Sequence, residues 1–595
     1  MLDHPSLFLN SSEWEDLRDK LADPFFEALH RNNLEAIDLL DREKAHGDLG
    51  KVPRFLGVAG SPLHEIRGRI FKNRVIRGTV AWYLTKEERY LQFALVSLEA
   101  ACRSDDWSPR PGALHGIQGA SLDTSDLLYT VAFGYDSLYP YLSEDFRETC
   151  RSTLRDEGLA AYLRGLELKD WWENCNFNWG AALHGCAGLA ALALRKSDPD
   201  YSSRVLLEVK PRLKTVIDYF YPGGGYPEGL MYLSTTLVHL SDFVVPLHRL
   251  TGEDLGLLTN PVFAEVLSSF PYLIGGDGRP LNFSSINESS VEQGSSSIFW
   301  WARQLNRPDW AYTQEKMQRD WRDTHGMTFD VEAFWFREPF QAKAAPNTDG
   351  LHHFTGLDWL TWKGEKSWLG FRSGFNGDNH NHRDLGHFIL GYGPERFLVD
   401  PGYAPRETPQ HNAVTIRGHG QTDCSRAITS EVVGDAGGLG LVCDLSACFP
   451  FSLRSFKRHL RLMEDRHLLV IDDIVGQTQT RNGARWHLQT RFPWHRDERG
   501  TLFIQGPLHT LAIYFLSETG YFQATDWNSD GPITTLSWTE NYDRVESVHA
   551  LLLSFGTPEI THRWEGKTLT VSIDGKVVIY DGQRIGDQKS AVGKF

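Results

Sequence analysis

The chain has 595 residues, 41% hydrophobic and 23% charged, enough apolar matter to offset the entropy of ordering the backbone, so dominant disorder is excluded. Its 61 Lys and Arg stand against 77 Asp and Glu, a net charge of −16, which argues against a nucleic-acid partner and against a polybasic membrane anchor. Nineteen Trp, 20 Tyr and 33 Phe make 12% aromatic, a composition that suits a large aromatic core and also suits flat rings laid on the apolar faces of sugars.

The opening MLDHPSLFLNSS has no basic n-region and no apolar h-region, so the expectation is a cytoplasmic protein, or a periplasmic one if a leader was removed. No run of 18 apolar residues occurs, and no membrane span is expected. Seven cysteines are scattered without a CxxC pair, as for reduced thiols. Residues 1 to about 340 read as helical. Asn10-Ser-Ser-Glu-Trp-Glu is a capped start with acids in the first turn. Leu122 to Leu138 has apolar residues at helical spacing, and Trp179 to Leu194 is small and apolar nearly all round, as for a helix buried on most sides. Val205–Tyr219 and Thr235–Leu250 continue the pattern. Gly and Pro clusters punctuate it at Tyr221-Pro-Gly-Gly-Gly and Gly275-Gly-Asp-Gly-Arg-Pro. The segment from Gln341 to Gly350 reads as a linker. After it come short alternating runs with turn residues, at 368–373, 387–392, 396–400, 467–475, 511–516 and 569–573, which predict packed antiparallel sheets.

Three segments concentrate polar residues. Glu173-Asn-Cys-Asn-Phe-Asn-Trp precedes the small-residue helix; its Asn are helix caps or amides aimed into a cleft. Gly223-Gly-Gly-Tyr-Pro-Glu-Gly-Leu-Met-Tyr carries Glu228 and Tyr232 after a flexible turn. The densest is Gly377-Asp-Asn-His-Asn-His-Arg-Asp-Leu-Gly-His, followed by Val399-Asp-Pro-Gly-Tyr and His411-Asn. On a strand, His380, His382 and Asp384 would share one face, and nitrogen and carboxylate ligands on one face suit tetrahedral zinc. Arg372, Arg383 and Arg417 have the fork geometry that binds carboxylates in pairs. His115, His184, His387 and His487 read as structural.

With the opening His4-Pro-Ser-Leu-Phe-Leu, the Asn-rich helix start, Glu-Gly-x-x-Tyr at Glu228–Tyr232, and His-x-His-x-Asp ahead of Val-Asp-Pro-Gly, the chain resembles the heparinase II/III-like superfamily of polysaccharide lyases, which includes oligoalginate lyases. The resemblance implies an α+β multidomain protein: an incomplete (α/α) toroid over 1–345, then an antiparallel β-sandwich over 346–595. It puts the carboxylate neutraliser on Asn176, with Asn178 as fallback and Phe177 where some members have His. It puts the catalytic phenol on Tyr232 and the catalytic imidazole on His380. It gives a structural zinc to His382, Asp400 and His411, separating His380 from His382 in a loop, and implies no organic cofactor. Substrate contacts are expected at Asn178, Glu228, Arg372, Arg383 and Tyr403.

The implied reaction is β-elimination in a glycosaminoglycan- or alginate-like glycan. The C5 proton is removed, the C4–O bond breaks, and a 4,5-unsaturated uronate is left. The expected partner is an acidic oligosaccharide or polysaccharide, with oligosaccharides cut from the chain end, no nucleic acid, no membrane, and a homodimer as the oligomer the resemblance implies. Two alternatives stand beside it. A glycoside hydrolase would draw its opposed carboxylates from Glu228, Asp126 and Asp384. A carbohydrate-binding protein would bind without turnover.

Overall fold

The computed structural model describes residues 4–45, 67–105, 107–108, 116–288, 294–325, 331–338, 347–435, 437–477, 483–529, 531–539 and 545–587. His115 and most of the expected linker lie outside these residues. The chain forms two compact units. The first takes 1–220, 232–264 and 293–345, the second 221–231, 265–292 and 346–595. Two short segments from within the helical stretch therefore group with the sheets.

The first unit is helical. Its opening helix, Ser11–Glu15, is fixed by a reciprocal cap: the Glu13 N–H donates to Asn10 Oδ1 at 3.0 Å, and Asn10 N–H donates to Glu13 Oε2 at 2.7 Å. Packing then runs in sequence order. Arg67–Thr85 lies against Glu88–Cys102 and Leu122–Ser137, Leu122–Ser137 against Asn178–Leu194, and Asn178–Leu194 against Pro199–Ile217. The helix Asn178–Leu194 is buried along its length apart from half-buried Trp179. Its glycines admit the helix Gly229–Thr251: a Cβ on Gly185 would stand 2.3 Å from the His239 carbonyl, and one on Gly188 2.5 Å from the Phe243 ring. Gly229–Thr251 is long and apolar enough to cross a membrane, but 78% of that window is buried inside the protein, the signature of a core helix.

The second unit is built of antiparallel sheets. A five-stranded meander runs Gly350–Phe354, Trp359–Lys363, Ser367–Arg372, Phe388–Tyr392, Glu395–Leu398. The largest sheet has nine strands, with Glu546–Phe555, His467–Gly476, Leu453–Met463 and Gly438–Asp444 at its centre. Four strands (Phe522–Asn528, Pro532–Thr539, Ala484–Thr490, Val414–Ile416) form a third sheet, and Ile560–Glu565, Thr568–Ile573, Lys576–Tyr580 and Ile585–Asp587 a fourth. The first three share one core, including Trp362, Phe371, Leu460, Val470, Trp486 and Trp538. The run Leu468-Leu-Val-Ile is apolar without alternation because both of its faces are covered. Leu468 and Val470 enter the shared core, while Leu469 and Ile471 pack with the fourth sheet through Leu569, Val571 and Ile573.

Candidate active site

The loop between Ser367–Arg372 and Phe388–Tyr392 carries most of the chemistry, and the sheets fix both of its ends. The Gly386 N–H donates to the Arg372 carbonyl at 2.7 Å. Arg458, bidentate to its cross-strand partner Asp472 at 2.8 Å for both bonds, donates to the Gly386 carbonyl at 2.7 Å. Within the loop, Ser285 gives both its N–H and its hydroxyl to the His380 carbonyl at 3.0 Å, and the Ser284 hydroxyl donates to Asn381 Oδ1 at 2.7 Å.

This stretch is not a strand, so the one-face arrangement of His380, His382 and Asp384 does not form. His380 has a left-handed φ of +59°, a conformation uncommon outside glycine and sustained only where the surroundings over-determine it. That turn separates it from its neighbours. His380 Nδ1 lies 2.7 Å from Glu228 Oε1, and Asn379 Nδ2 donates to the same oxygen at 2.8 Å. A carboxylate only accepts, so the proton is on Nδ1 and Nε2 is the basic nitrogen. The His380 side chain keeps 16% exposure while Glu228 has none. Glu228 therefore holds the imidazole and does not face substrate, which corrects its expected role.

Two residues on, the chain turns inward. His382, Asp384, Asp400 and His411 offer ligand atoms that all lie within 4.8 Å of one another, every residue buried. The tautomers follow from the hydrogen bonds. The Ser285 hydroxyl proton is given to the His380 carbonyl, so at 3.2 Å it is His382 Nε2–H that donates to Ser285 Oγ, leaving the Nδ1 lone pair bare. His411 Nδ1–H donates to Asp400 Oδ2 at 3.1 Å, leaving Nε2 bare. His382 Nδ1, His411 Nε2 and Asp384 Oδ2 are buried without a hydrogen-bond partner. Two imidazole lone pairs and a carboxylate oxygen orphaned in one cluster are what a cation would satisfy, and the donor set fits one. His387 differs: its Nδ1 accepts from the Asn412 N–H at 2.9 Å, which puts the proton on Nε2, and that N–H lies 3.4 Å from Asp400 without a hydrogen bond. Burial first, then His411 and Arg372, hold His382 well below the usual histidine range, so it is neutral. Burial pulls His411 down, but Asp400 more than offsets it and the net shift is upward. Burial likewise raises Asp384, against the pull of Arg372.

Arg372 corrects another expectation. It is fully buried and bonds Asp384 at 2.5 Å, so it neutralises the cluster instead of meeting substrate. Arg383 is one-third exposed but spent on Asp423, at 2.7 and 2.8 Å, and on Glu407 at 2.8 Å. Tyr403 is 39% exposed, its N–H donating to Asn287 Oδ1 at 3.3 Å.

In the helical unit, Tyr232 is buried in the first turn of Gly229–Thr251. Asn176 is half-buried just ahead of Asn178–Leu194. That helix is capped by Phe177 with no side-chain bond, and Asn174 donates to Glu173 at 3.3 Å. The three asparagines are thus not its caps; Asn178, its first residue, is buried. A second group in this unit, Cys186, His239 and Asp242, also brings ligand atoms within 4.8 Å. There Lys72 Nζ, 3.5 Å from Asp242, already supplies the cation, and burial keeps the Cys186 thiol protonated.

Residues the sequence did not single out complete the site. Asn282 donates to the Asp400 carbonyl at 3.1 Å and accepts from Arg396 Nη1 at 3.0 Å, while Arg396 is bidentate to Asp277 at 2.9 and 3.0 Å. Their only signal was the Gly-Pro-rich 275–280 segment ahead of Asn282-Phe-Ser-Ser.

Residues 346–565 match the family model described as heparinase II/III-like, C-terminal. The C-terminal region of the chain thus carries a heparinase II/III-like domain. No curated protein matches the chain in sequence. Solved structures similar to this chain include a mutant heparan sulfate lyase from Pedobacter heparinus (14% identity, TM-score 0.60, covering 87% of this chain and 82% of that one). A heparinase III gene product matches at 12% identity and TM-score 0.60 over 96% and 99% of the two chains. A chondroitin AC lyase from Streptomyces coelicolor A3, solved with chondroitin sulphate, matches at 13% and 0.54 over 96% and 87%. These likenesses establish the fold, a helical toroid region followed by antiparallel sheets.

Proposed function

We propose that this protein is a polysaccharide lyase that cleaves uronic-acid-containing glycans by β-elimination. The observation that carries the reading is the buried Glu228 carboxylate set 2.7 Å from His380 Nδ1, in a chain whose C-terminal domain is of the heparinase II/III type. The C5 proton of a uronate is weakly acidic because its removal adds charge to an ionised carboxylate. Asn176 offers neutral amide donors to that carboxylate, and a well-aimed donor of this kind is worth about 3–4 kcal/mol of barrier. His380 accepts the C5 proton at Nε2, and Glu228 stabilises the imidazolium that results. Tyr232 gives its phenolic proton to the C4 oxygen as the C4–O bond breaks. For the opposite C5 configuration, Tyr232 as phenolate takes the C5 proton and passes it to the C4 oxygen as the C4–O bond breaks, and His380⁺ serves the carboxylate. Each acid–base step is worth about 10²–10⁴-fold.

The expected zinc belongs to the cluster held by His382, Asp400 and His411, with Asp384 as a further donor. A zinc ion there would supply a cross-link between the His380 loop and the 400–411 segment. The hydrolase alternative loses its residues. Glu228 is committed to His380, Asp384 to Arg372, and Asp126, 4% exposed, has Arg69 at 3.4 Å. The test is an absorbance screen on uronic-acid oligosaccharides and polymers. An elimination product carries a conjugated C4=C5 bond and absorbs in the ultraviolet; a hydrolysis product does not.

A further inference from the structure

The turn ahead of Asn176 is built to hold one tryptophan outward. The Asp170 carboxylate accepts the backbone N–H groups of Gln118, at 3.1 Å, and Gly119, at 2.8 Å, and the Glu173 N–H closes the turn on the Asp170 carbonyl at 2.9 Å. Trp172 is fully buried, stacked on Tyr162 at 5.7 Å, and Gly165 makes room for it: a Cβ there would stand 2.2 Å from the Trp172 ring. With Trp172 anchored inside, Trp171 is turned out and stays 41% exposed. It does not stand alone. Phe177 lies nearly parallel to it (6.0 Å between centroids, 14° between planes), and Trp179 sits at 4.8 Å and 55°. Exposed Asn174 and half-buried Asn176 flank these rings.

Leaving a large ring in water forgoes about 1.5–3 kcal/mol of burial, and here a rigid turn enforces that exposure. Flat aromatic faces beside amide groups match a pyranose, which has an apolar C–H face and an equatorial rim of hydroxyls. We propose that Trp171, Phe177 and Trp179 form a stacking subsite for one sugar ring of the substrate, next to Asn176. Phe177 extends the platform beside Trp171. The proposal rests on the lyase reading for its substrate class.

The test uses the full chain and tetrasaccharides of unsulfated chondroitin, heparosan and alginate. Binding is measured by calorimetry and turnover by ultraviolet absorbance. Trp171→Ala is expected to raise Kd and KM at least tenfold with kcat within about threefold, Phe177→Ala to do so less, and Trp171→Phe to restore most of the loss. Phe451→Ala, which removes an 86% exposed ring elsewhere, is expected to change neither. Thermal unfolding of each variant checks that the turn stays folded. Kd and KM for Trp171→Ala within twofold of wild type overturn the platform even if elimination is observed. Binding that Trp171→Ala abolishes, with no elimination on any glycan, keeps the platform and overturns the lyase reading. No binding of any tetrasaccharide by the wild type overturns both.

Discussion

His380 and His382 stand two residues apart in one loop and live in opposite environments. His380 keeps part of its ring in solvent and rests on a carboxylate. His382 is buried and held neutral, its lone pair turned into a cluster of orphaned donors. A left-handed backbone at the first and Ser285 bonded to the carbonyl between them produce the split. One short segment thus sets one imidazole in part-exposed surroundings beside a carboxylate and the other inside a buried cluster, and packing decides which is which.

That contrast can be broken one side at a time. Replacing His380 with Ala, or Tyr232 with Phe, is expected to lower kcat about 10²–10⁴-fold with thermal stability near wild type; steady-state absorbance kinetics read it. Glu228→Gln keeps the shape but removes the charge that stabilises imidazolium, so kcat is expected to fall about 10–100-fold. KM should hold. On the buried side, Arg372→Met strands the Asp384 carboxylate. The expected cost is about 3–5 kcal/mol of stability in denaturant titration, with KM unchanged in material that still folds; a selective rise in KM would restore Arg372 as a substrate contact.

The smallest increment per step is a pH slope. Burial holds His184, His487 and His549 down to about 3, against about 6.5 in the unfolded chain. The unfolded state therefore binds the extra protons. Stability is full above pH 6.5 and is lost as pH falls below it, by about 1.4 kcal/mol per pH unit for each such histidine down to about pH 3. His487→Gln, replacing a ring bonded to Thr415 at 3.0 Å and Ser537 at 2.9 Å, should flatten the slope by one such increment in denaturant titrations across that range.

Periodicity made the larger pattern legible. The helix at 178–194 and the strands around 367–372, 388–392 and 467–476 form where alternation or small-residue runs predict them, because burial of one face or all faces writes itself into spacing. The dense His and Asp segment marked the cluster His382, Asp400 and His411 as well. What spacing could not show was long-range pairing. Glu228 reads as a loop acid until His380, 152 positions away, is placed on it. Arg372 and Arg383 read as anion binders until Asp384, Asp423 and Glu407 occupy them. The segments 221–231 and 265–292 are helical neighbours in sequence but pack with the sheets, and no local pattern reports that.

The central claim is that a bond is broken by elimination and not by water. It is tested most directly by digesting uronic-acid oligosaccharides in oxygen-labelled water while following ultraviolet absorbance. The account predicts rising absorbance, new chain ends without label, and loss of both cleavage and absorbance in Tyr232→Phe. Cleavage that incorporates label and leaves absorbance flat would contradict it.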